Sequence, residues 1–411
     1  MDKSKQTQDA LDYHRWPKPG KLATLVTKST KNQADLTLAY SPGVAAPVIE
    51  IDKNPNAAYT YTSKGNLVGV ISNGSAILGL GNLGALASKP VMEGKAVLFK
   101  CFADIDVFDI EIDTQNPDEF INIVKGIAPT FGGINLEDIK APECFVIEET
   151  LQKILDIPVF HDDQHGTAII ICAALLNALE IQKKSLDNCR IVCVGAGAAG
   201  IATMHLLEQV GAKKSNMILI DTDGVIHDQR DDLNQYKIYF AANTNMRTLE
   251  DAMHGADVFI GLARPNLLNS EHIVSMKKNP IVFALSNPVP EIMPEIAHAC
   301  RDDLIIATGR GDYPNQVNNV LCFPYIFRGA LDVRARVINH AMKIAAVHAI
   351  RDIVKEPVPD SVKQCYPDVK EWGFGPNYII PMPFDPRLKE RVSQAVSQAA
   401  IQSGVARQLE I

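Results

Sequence analysis

Residues 191–221 read IVCVGAGAAGIATMHLLEQVGAKKSNMILID, and this stretch decides the fold. The run at Arg190–Val194 is short, apolar and β-branched, as a buried parallel strand should be. Gly195, Ala196, Gly197, Ala198, Ala199 and Gly200 then turn the chain into a helix that Gly211 ends. Met217–Ile220 forms the next strand, and Asp221 closes it 21 residues past Gly200. This is the dinucleotide-binding fingerprint in its full setting. Gly195 makes the tight turn, Gly197 lets backbone approach a pyrophosphate, and Gly200 lets helix and strand pack closely. The helix N-terminus offers N–H groups and a positive dipole to the phosphates, and Asp221 stands where a carboxylate accepts ribose hydroxyls.

Asp221 is followed by Thr222 and Asp223. Two carboxylates near the ribose repel a 2′-phosphate, and the nearest cations along the chain, His227 and Arg230, are expected to be distant. The expected cofactor is therefore NAD, with NADP the alternative. A second match, GLGNLG at residues 79–84, lacks this setting. No properly spaced acid closes a following strand, so it reads as a close-approach loop that can line a site.

Working outward, strands at Val258–Gly261, Ile281–Ala284 and Leu304–Ala307 alternate with helices, the rhythm of a doubly wound domain. N-terminal to the fingerprint, Val68–Ile71, Ala96–Phe102 and Pro158–Phe160 read as strands, and Asp118–Ala128 and Pro142–Leu155 as helices. The apolar helix Gly166–Lys184 marks the change between the two regions. The fold class is α/β, with a parallel-sheet substrate domain over residues 1–163 and a Rossmann-type domain over residues 164–411. The second domain ends in a helix at Gly329–Ile353, an extended Pro-rich tail and a last short helix.

Composition narrows the function. The 411 residues carry 40 Lys and Arg against 48 Asp and Glu, a net charge of −8. A mildly acidic chain without a basic run is a poor binder of nucleic acid or anionic membrane. No segment approaches ~20 uninterrupted apolar residues. MDKSKQTQDA has no apolar core, so no signal peptide is expected. The eight cysteines include no CxxC pair. That suits reduced thiols in the cytoplasm rather than a disulfide framework.

Residues 132–163 read as one βαβ unit. GGINLED ends in Glu137 and Asp138, and IPVFHDD ends in Asp162 and Asp163. Parallel neighbours bring their C-terminal ends to the same sheet edge, so four carboxylates should meet without a nearby cation. A bound Mg²⁺ or Mn²⁺ would relieve that crowding, and hard oxygen ligands suit either ion. The competing reading is that these acids cap helices and stay solvated. His161 and His165 flank the pair. Lys95 is placed at the start of a strand, Tyr40 beside a turn in LAYSPGV, Asn287 after a nucleotide-domain strand, and Asn318 and Asn319 in NQVNNV.

Taken together, LAYSPGVA, SNGSAILGLGNLGALASKPVMEGKAVLFK, DIDVFDIEID, GGINLEDI, VFHDDQHGTA, VGAGAAG, ALSNPVPEI, ATGRGDYPNQVNN and FGPNYIIPMPFDPRL resemble the malic enzymes, most closely the short bacterial form. The segments span nearly the whole chain in family order. The resemblance implies oxidative decarboxylation of (S)-malate to pyruvate and CO₂ with reduction of NAD(P)⁺. It implies Tyr40 and Lys95 as the acid/base pair, with Lys95 neutral when it takes the hydroxyl proton. Glu137, Asp138 and Asp163 would hold the metal, with Asp162 behind them. Asn287 and Asn319 would meet the substrate or the nicotinamide, with Asn318 beside them. Where large malic enzymes carry an Arg just before ILGLG, this chain has Ala76, preceded by Ser75 on the substrate side. The phosphotransacetylase-like domain of some bacterial relatives is not expected on length. The expected partners are malate or pyruvate and a second copy of the chain, a homodimer. Two rival readings are a metal-free dehydrogenase of the amino-acid-dehydrogenase type and a non-catalytic dinucleotide sensor.

Overall fold

The computed structural model describes residues 3–77 and 79–407. Met1 and Asp2 of the polar N-terminal stretch and Leu78 of the ILGLG segment lie outside it. Two sheets organise the chain. The first holds β1 (Leu67–Ser72), β2 (Asp106–Glu111), β3 (Gly133–Leu136) and β4 (Val159–His161), all parallel, in the order β2-β1-β3-β4. The second holds β5 (Ile191–Val194), β6 (Met217–Asp221), β7 (Gly224–Val225), β8 (Val258–Gly261), β9 (Ile281–Ala284) and β10 (Ile305–Thr308). Its order is β10-β9-β8-β5-β6-β7, parallel except for the β6–β7 hairpin. Every connection between consecutive strands except the β6–β7 hairpin carries helix, which is the α/β arrangement expected.

Three local expectations need correction. Ala96–Phe102 is not a strand. It lies in the helix Ala85–Ala103, whose buried residues Ala85, Ser88, Met92, Lys95, Ala96, Phe99 and Ala103 repeat at helical spacing. Lys95 therefore sits mid-helix, on the buried face. The strand of this unit is instead DVFDIE, an edge strand that buries none of its residues and is most open at Asp106 and Phe108. The long apolar helix starts earlier than expected, at Asp162, and ends at Ile181, so both acids occupy its first turn. There they complement the positive end of the helix dipole. Finally, Gly329–Ile353 is two helices, Phe323–Asp332 and His340–Ile353. Arg334 takes a left-handed turn (φ 48°), and Asn339 restarts the helix by accepting from Met342 N.

The helix Asp162–Ile181 has the length and hydropathy of a membrane span, yet every residue from Ala168 to Leu175 is buried. It packs against the helices Ala198–Gln209 and His340–Ile353. The Pro-rich tail packs back on the core, burying Tyr378, Ile379 and Ile380, but through turns and bends rather than as extended chain. Asn177 Nδ2 donates to Ile379 O at 2.8 Å and to Arg351 O at 2.9 Å, fixing the tail beneath the core. The helix Phe323–Asp332 closes over the first sheet, with Phe99–Phe323, Phe99–Phe327 and Phe160–Phe327 ring contacts at 4.9, 5.3 and 5.8 Å. All eight cysteines are free thiols, five of them buried.

Two glycine positions are fixed by close approach. A Cβ on Gly200 would meet Gly195 O at 1.8 Å, so helix and turn pack only with glycine there. A Cβ on Gly79 would meet Asn287 O at 2.9 Å. The second glycine-rich segment is thus the point where the first region abuts the nucleotide domain, and it leads into the helix Ala85–Ala103 rather than into a second fingerprint.

Candidate active site

Register places the acids. β3 and β4 pair Ile134 with Val159 and Leu136 with His161, so the residues that follow emerge together at one sheet edge. One carboxylate oxygen each from Glu137, Asp138 and Asp163 lies within 4.8 Å of the others. Glu137 and Asp138 are buried, and Asp163 is half-open. Asp138 N donates to Asp163 Oδ2 at 2.8 Å, which locks the two loops together.

Sequence reasoning expected this cluster to lack a cation. The helical face of Ala85–Ala103 supplies one. Lys95 Nζ lies 2.7 Å from Asp162 Oδ2 and 2.9 Å from Glu137 Oε1, at 7% exposure. The strand reading hid this, because it pointed Lys95 away from the acids. Burial by itself disfavours the ammonium, but Asp162 and then Glu137 outweigh it and raise the Lys95 pKa. In the ligand-free protein Lys95 is therefore charged, not neutral as the resemblance implies for the proton-accepting form. Burial in turn pushes the Asp162 and Glu137 carboxyls up, and Lys95 offsets only part of that.

Several supports have no motif to announce them. Asn135 Nδ2 donates to Glu137 Oε2 at 2.8 Å. The Lys95 ammonium rests 4.2 Å above the Phe323 ring. Glu148, buried in the crossover helix Glu143–Ile154, accepts from His161 N at 2.9 Å, Gln164 Nε2 at 3.1 Å and Gln152 Nε2 at 3.2 Å. His165 Nε2 lies 2.9 Å from the same carboxylate. These contacts anchor the turn from β4 into the helix that carries Asp162 and Asp163. His161 itself is wholly buried, which pushes its pKa down to about 4 and keeps the ring neutral.

The expected substrate-side residues divide. Asn319 Nδ2 donates to Asp162 Oδ2 at 2.5 Å and so joins the cluster. Asn318 caps the following turn by accepting from Val320 N. Asn287 is exposed and lies between Gly79 and Gly309, whose Cβ positions fall 2.9 Å from its carbonyl oxygen and 2.7 Å from its Nδ2. Ser75 is committed to its own loop. Its hydroxyl donates to Asn73 Oδ1 at 2.6 Å and accepts from Lys140 N at 2.9 Å. Tyr40 is not brought to Lys95 within the chain. It ends the helix Gln33–Ala39 at 76% exposure, and among the described residues no hydrogen bond joins it to the cluster.

The nucleotide side is as expected in shape. Gly195 takes φ 113° and donates to Ile220 O at 2.9 Å. Gly197 precedes the helix Ala198–Gln209 with nothing within 4 Å of its Cβ position, so the approach to the first-turn N–H groups of Ala198, Ala199 and Gly200 is open beside Ala196. The ribose position is different. Arg230 is not distant: its Nη1 and Nη2 reach Asp221 Oδ1 and Oδ2 at 2.8 and 3.1 Å. Lys237 Nζ adds a third contact at 2.6 Å. The β6–β7 hairpin folds residues 224–237 back over the strand end, which separation along the chain does not reveal. Burial opposes the Asp221 carboxylate, but bonds from Arg230 and Lys237 outweigh it and hold its pKa below the usual value.

Comparison with known proteins agrees with this geometry. Residues 19–152 match the model of the malic enzyme N-terminal domain, and residues 164–373 match that of the malic enzyme NAD binding domain. An NADP-dependent malic enzyme of Halomonas elongata is 62% identical over 97% of this chain and 94% of its own length. An NADP-dependent malic enzyme of Rhizobium meliloti is 58% identical, and there the chain spans 53% of the relative's length. The malic enzyme structure from Pyrococcus horikoshii superposes with a TM-score of 0.90 at 46% identity, covering 98% of this chain and 92% of that one. A two-sheet α/β chain that matches both domain models over most of its length, and a relative of nearly its own size, belongs to the malic enzyme family.

Proposed function

We propose that this chain oxidises (S)-malate to pyruvate and CO₂, passing hydride to NADP⁺ or NAD⁺, with Mg²⁺ or Mn²⁺ held by Glu137, Asp138 and Asp163. The observation that carries the reading is the convergence of those three carboxylates on one point beside the buried Lys95–Asp162 pair. Hard oxygen donors with excess negative charge and one half-open member fit a divalent ion. Bound there, the ion would polarise the C2 oxygen and stabilise the charge that decarboxylation leaves behind. Lys95 is placed to take the C2 hydroxyl proton as hydride leaves C2. Asp162, 2.7 Å away and raised by burial, is placed to receive the proton that Lys95 carries in the free protein. Asn319 donates to the same Asp162 oxygen as Lys95 and helps to orient it. A metal-free dehydrogenase has no use for the three-acid cluster.

The buried free thiols support a reducing, cytoplasmic setting. At the ribose end, two cations on Asp221 favour NADP⁺, because Arg230 and Lys237 can turn from the carboxylate to a 2′-phosphate. This reverses the preference drawn from Asp221 and Asp223 alone. Several of the relatives are named NADP-dependent, although a Rhizobium meliloti relative at 54% identity is named NAD-dependent.

Tyr40 bears on assembly. In the same N-terminal segment Leu25, Val26, Leu38 and Val48 are 86, 71, 76 and 58% exposed, and neither the helix Gln33–Ala39 nor Ala45–Lys53 buries a residue. An apolar face of this kind calls for a cover. The cover is a second copy related by two-fold symmetry, and Tyr40 protonates C3 in the partner's site after CO₂ leaves.

Three outcomes are expected. Purified protein reduces NADP⁺ with malate, releasing pyruvate; exhaustive chelation abolishes this, and Asp163→Asn lowers the rate by ~100-fold or more. Turnover that survives chelation removes the metal. Lys237→Ala lowers kcat/KM for NADP⁺ by ~10-fold or more, the worth of one charged hydrogen bond, and changes NAD⁺ less; equal losses mean Lys237 does not face the 2′-phosphate. Tyr40→Phe and Lys95→Ala are each inactive. Co-refolded or co-expressed in equal amounts, half the dimers are mixed and each regains one site of two, so about a quarter of wild-type activity returns. No recovery places Tyr40 in its own subunit's site.

A further inference from the structure

A cavity of about 540 Å³ lies behind the site, between the helices Glu143–Ile154, Asp162–Ile181, Ala198–Gln209 and His340–Ile353. Phe145, Ile201 and Ile338 give it apolar walls. Lys343 also lines it, at 7% exposure. Among the described residues its ammonium has no hydrogen bond and no carboxylate within 4.0 Å. The nearby acid, Glu148, already serves His161 N, Gln152, Gln164 and His165. Burial lowers the Lys343 pKa to about 8, with Glu148 holding it up only in part. Its three N–H donors face the cavity and are free for an anion that enters it.

We propose that this cavity is a binding site for an organic monocarboxylate with an apolar body, its carboxylate on Lys343 and its body against Phe145, Ile201 and Ile338. One unpartnered cation matches one negative charge. Glu149 on the same wall disfavours a dianion such as malate itself. The apolar walls favour a carboxylate over inorganic phosphate or sulfate. The site is also coupled to the candidate active site by direct contacts. Gln164 and His165 line the cavity, follow Asp163 immediately in the chain, and bond to Glu148, which in turn holds His161 N. A ligand seated on Lys343 changes the field on Glu148 and strains or relieves the turn that carries Asp162 and Asp163. Occupancy should therefore change the malate KM.

The test uses the whole chain, with phenylacetate as the probe and phenylacetamide as its uncharged counterpart, read by titration calorimetry without malate or cofactor. Binding is independent of the proposed activity; the effect on malate KM rests on it. Wild-type protein should bind phenylacetate saturably at about millimolar affinity or tighter, and the amide ~10-fold more weakly or not at all. Asp163→Asn should keep this binding, which separates it from occupancy of the active site. Lys343→Met keeps the hydrocarbon stem and removes the charge, so it should fold as wild type does while losing the probe. Equal binding of acid and amide, unchanged binding by Lys343→Met, or no binding by wild type at 10-fold above that affinity would overturn the proposal. The acid–amide comparison on wild type decides the matter even if the variant fails to fold.

Discussion

One ammonium holds the candidate site together. Lys95 reaches Asp162 on one loop and Glu137 on another, inside a pocket that excludes water. Breaking such a pair from one side leaves an uncompensated buried charge, at a cost of about 3–5 kcal/mol. The surrounding structure is arranged so that the pair is never broken by accident. β3 and β4 deliver the carboxylates in register, Asn135 takes up the second oxygen of Glu137, Asn319 shares Asp162 Oδ2 with the lysine, and Phe323 closes over the ammonium. The acids outnumber the cation, and that surplus is the basis of the proposed divalent ion.

The helix Asp162–Ile181 carries this arrangement to the rest of the molecule. Its first turn belongs to the acid cluster, its middle is core, and Asn177 near its end ties down the C-terminal tail. It packs on the helix that opens at the nucleotide fingerprint. The acid cluster and the glycine fingerprint are thus fixed relative to one another through a single buried element, while Gly79 and Asn287 meet in close approach. Rigid placement of this kind is what hydride transfer needs, since reacting atoms must be held close and aligned.

Much of this was legible in the sequence because it depends on local pattern. A GxGxxG between two strands, with an acid at the end of the second, has a single physical meaning. Two acid pairs at the ends of adjacent parallel strands must meet. What escaped was set by packing at a distance. KAVLFKCF is apolar enough for a strand, and only the helical spacing back to Ala85 shows otherwise, so Lys95 was misplaced. Arg230 and Lys237 reach Asp221 through a hairpin whose return no periodicity marks. Glu148 looks like any helix acid until its four donors are seen around it. Tyr40 is the limiting case: neither helix beside it buries a residue within the chain, and a single sequence does not say what covers such a face.

The central claim is that the surplus carboxylates exist to hold a divalent ion. The direct measurement is Mn²⁺ binding to the cofactor-free protein, followed by electron paramagnetic resonance of the free ion. The account predicts about one tightly bound ion per subunit in wild type, and loss of that binding in Asp163→Asn without loss of fold. Saturable binding that Asp163→Asn leaves unchanged, or none at all in wild type, would contradict it.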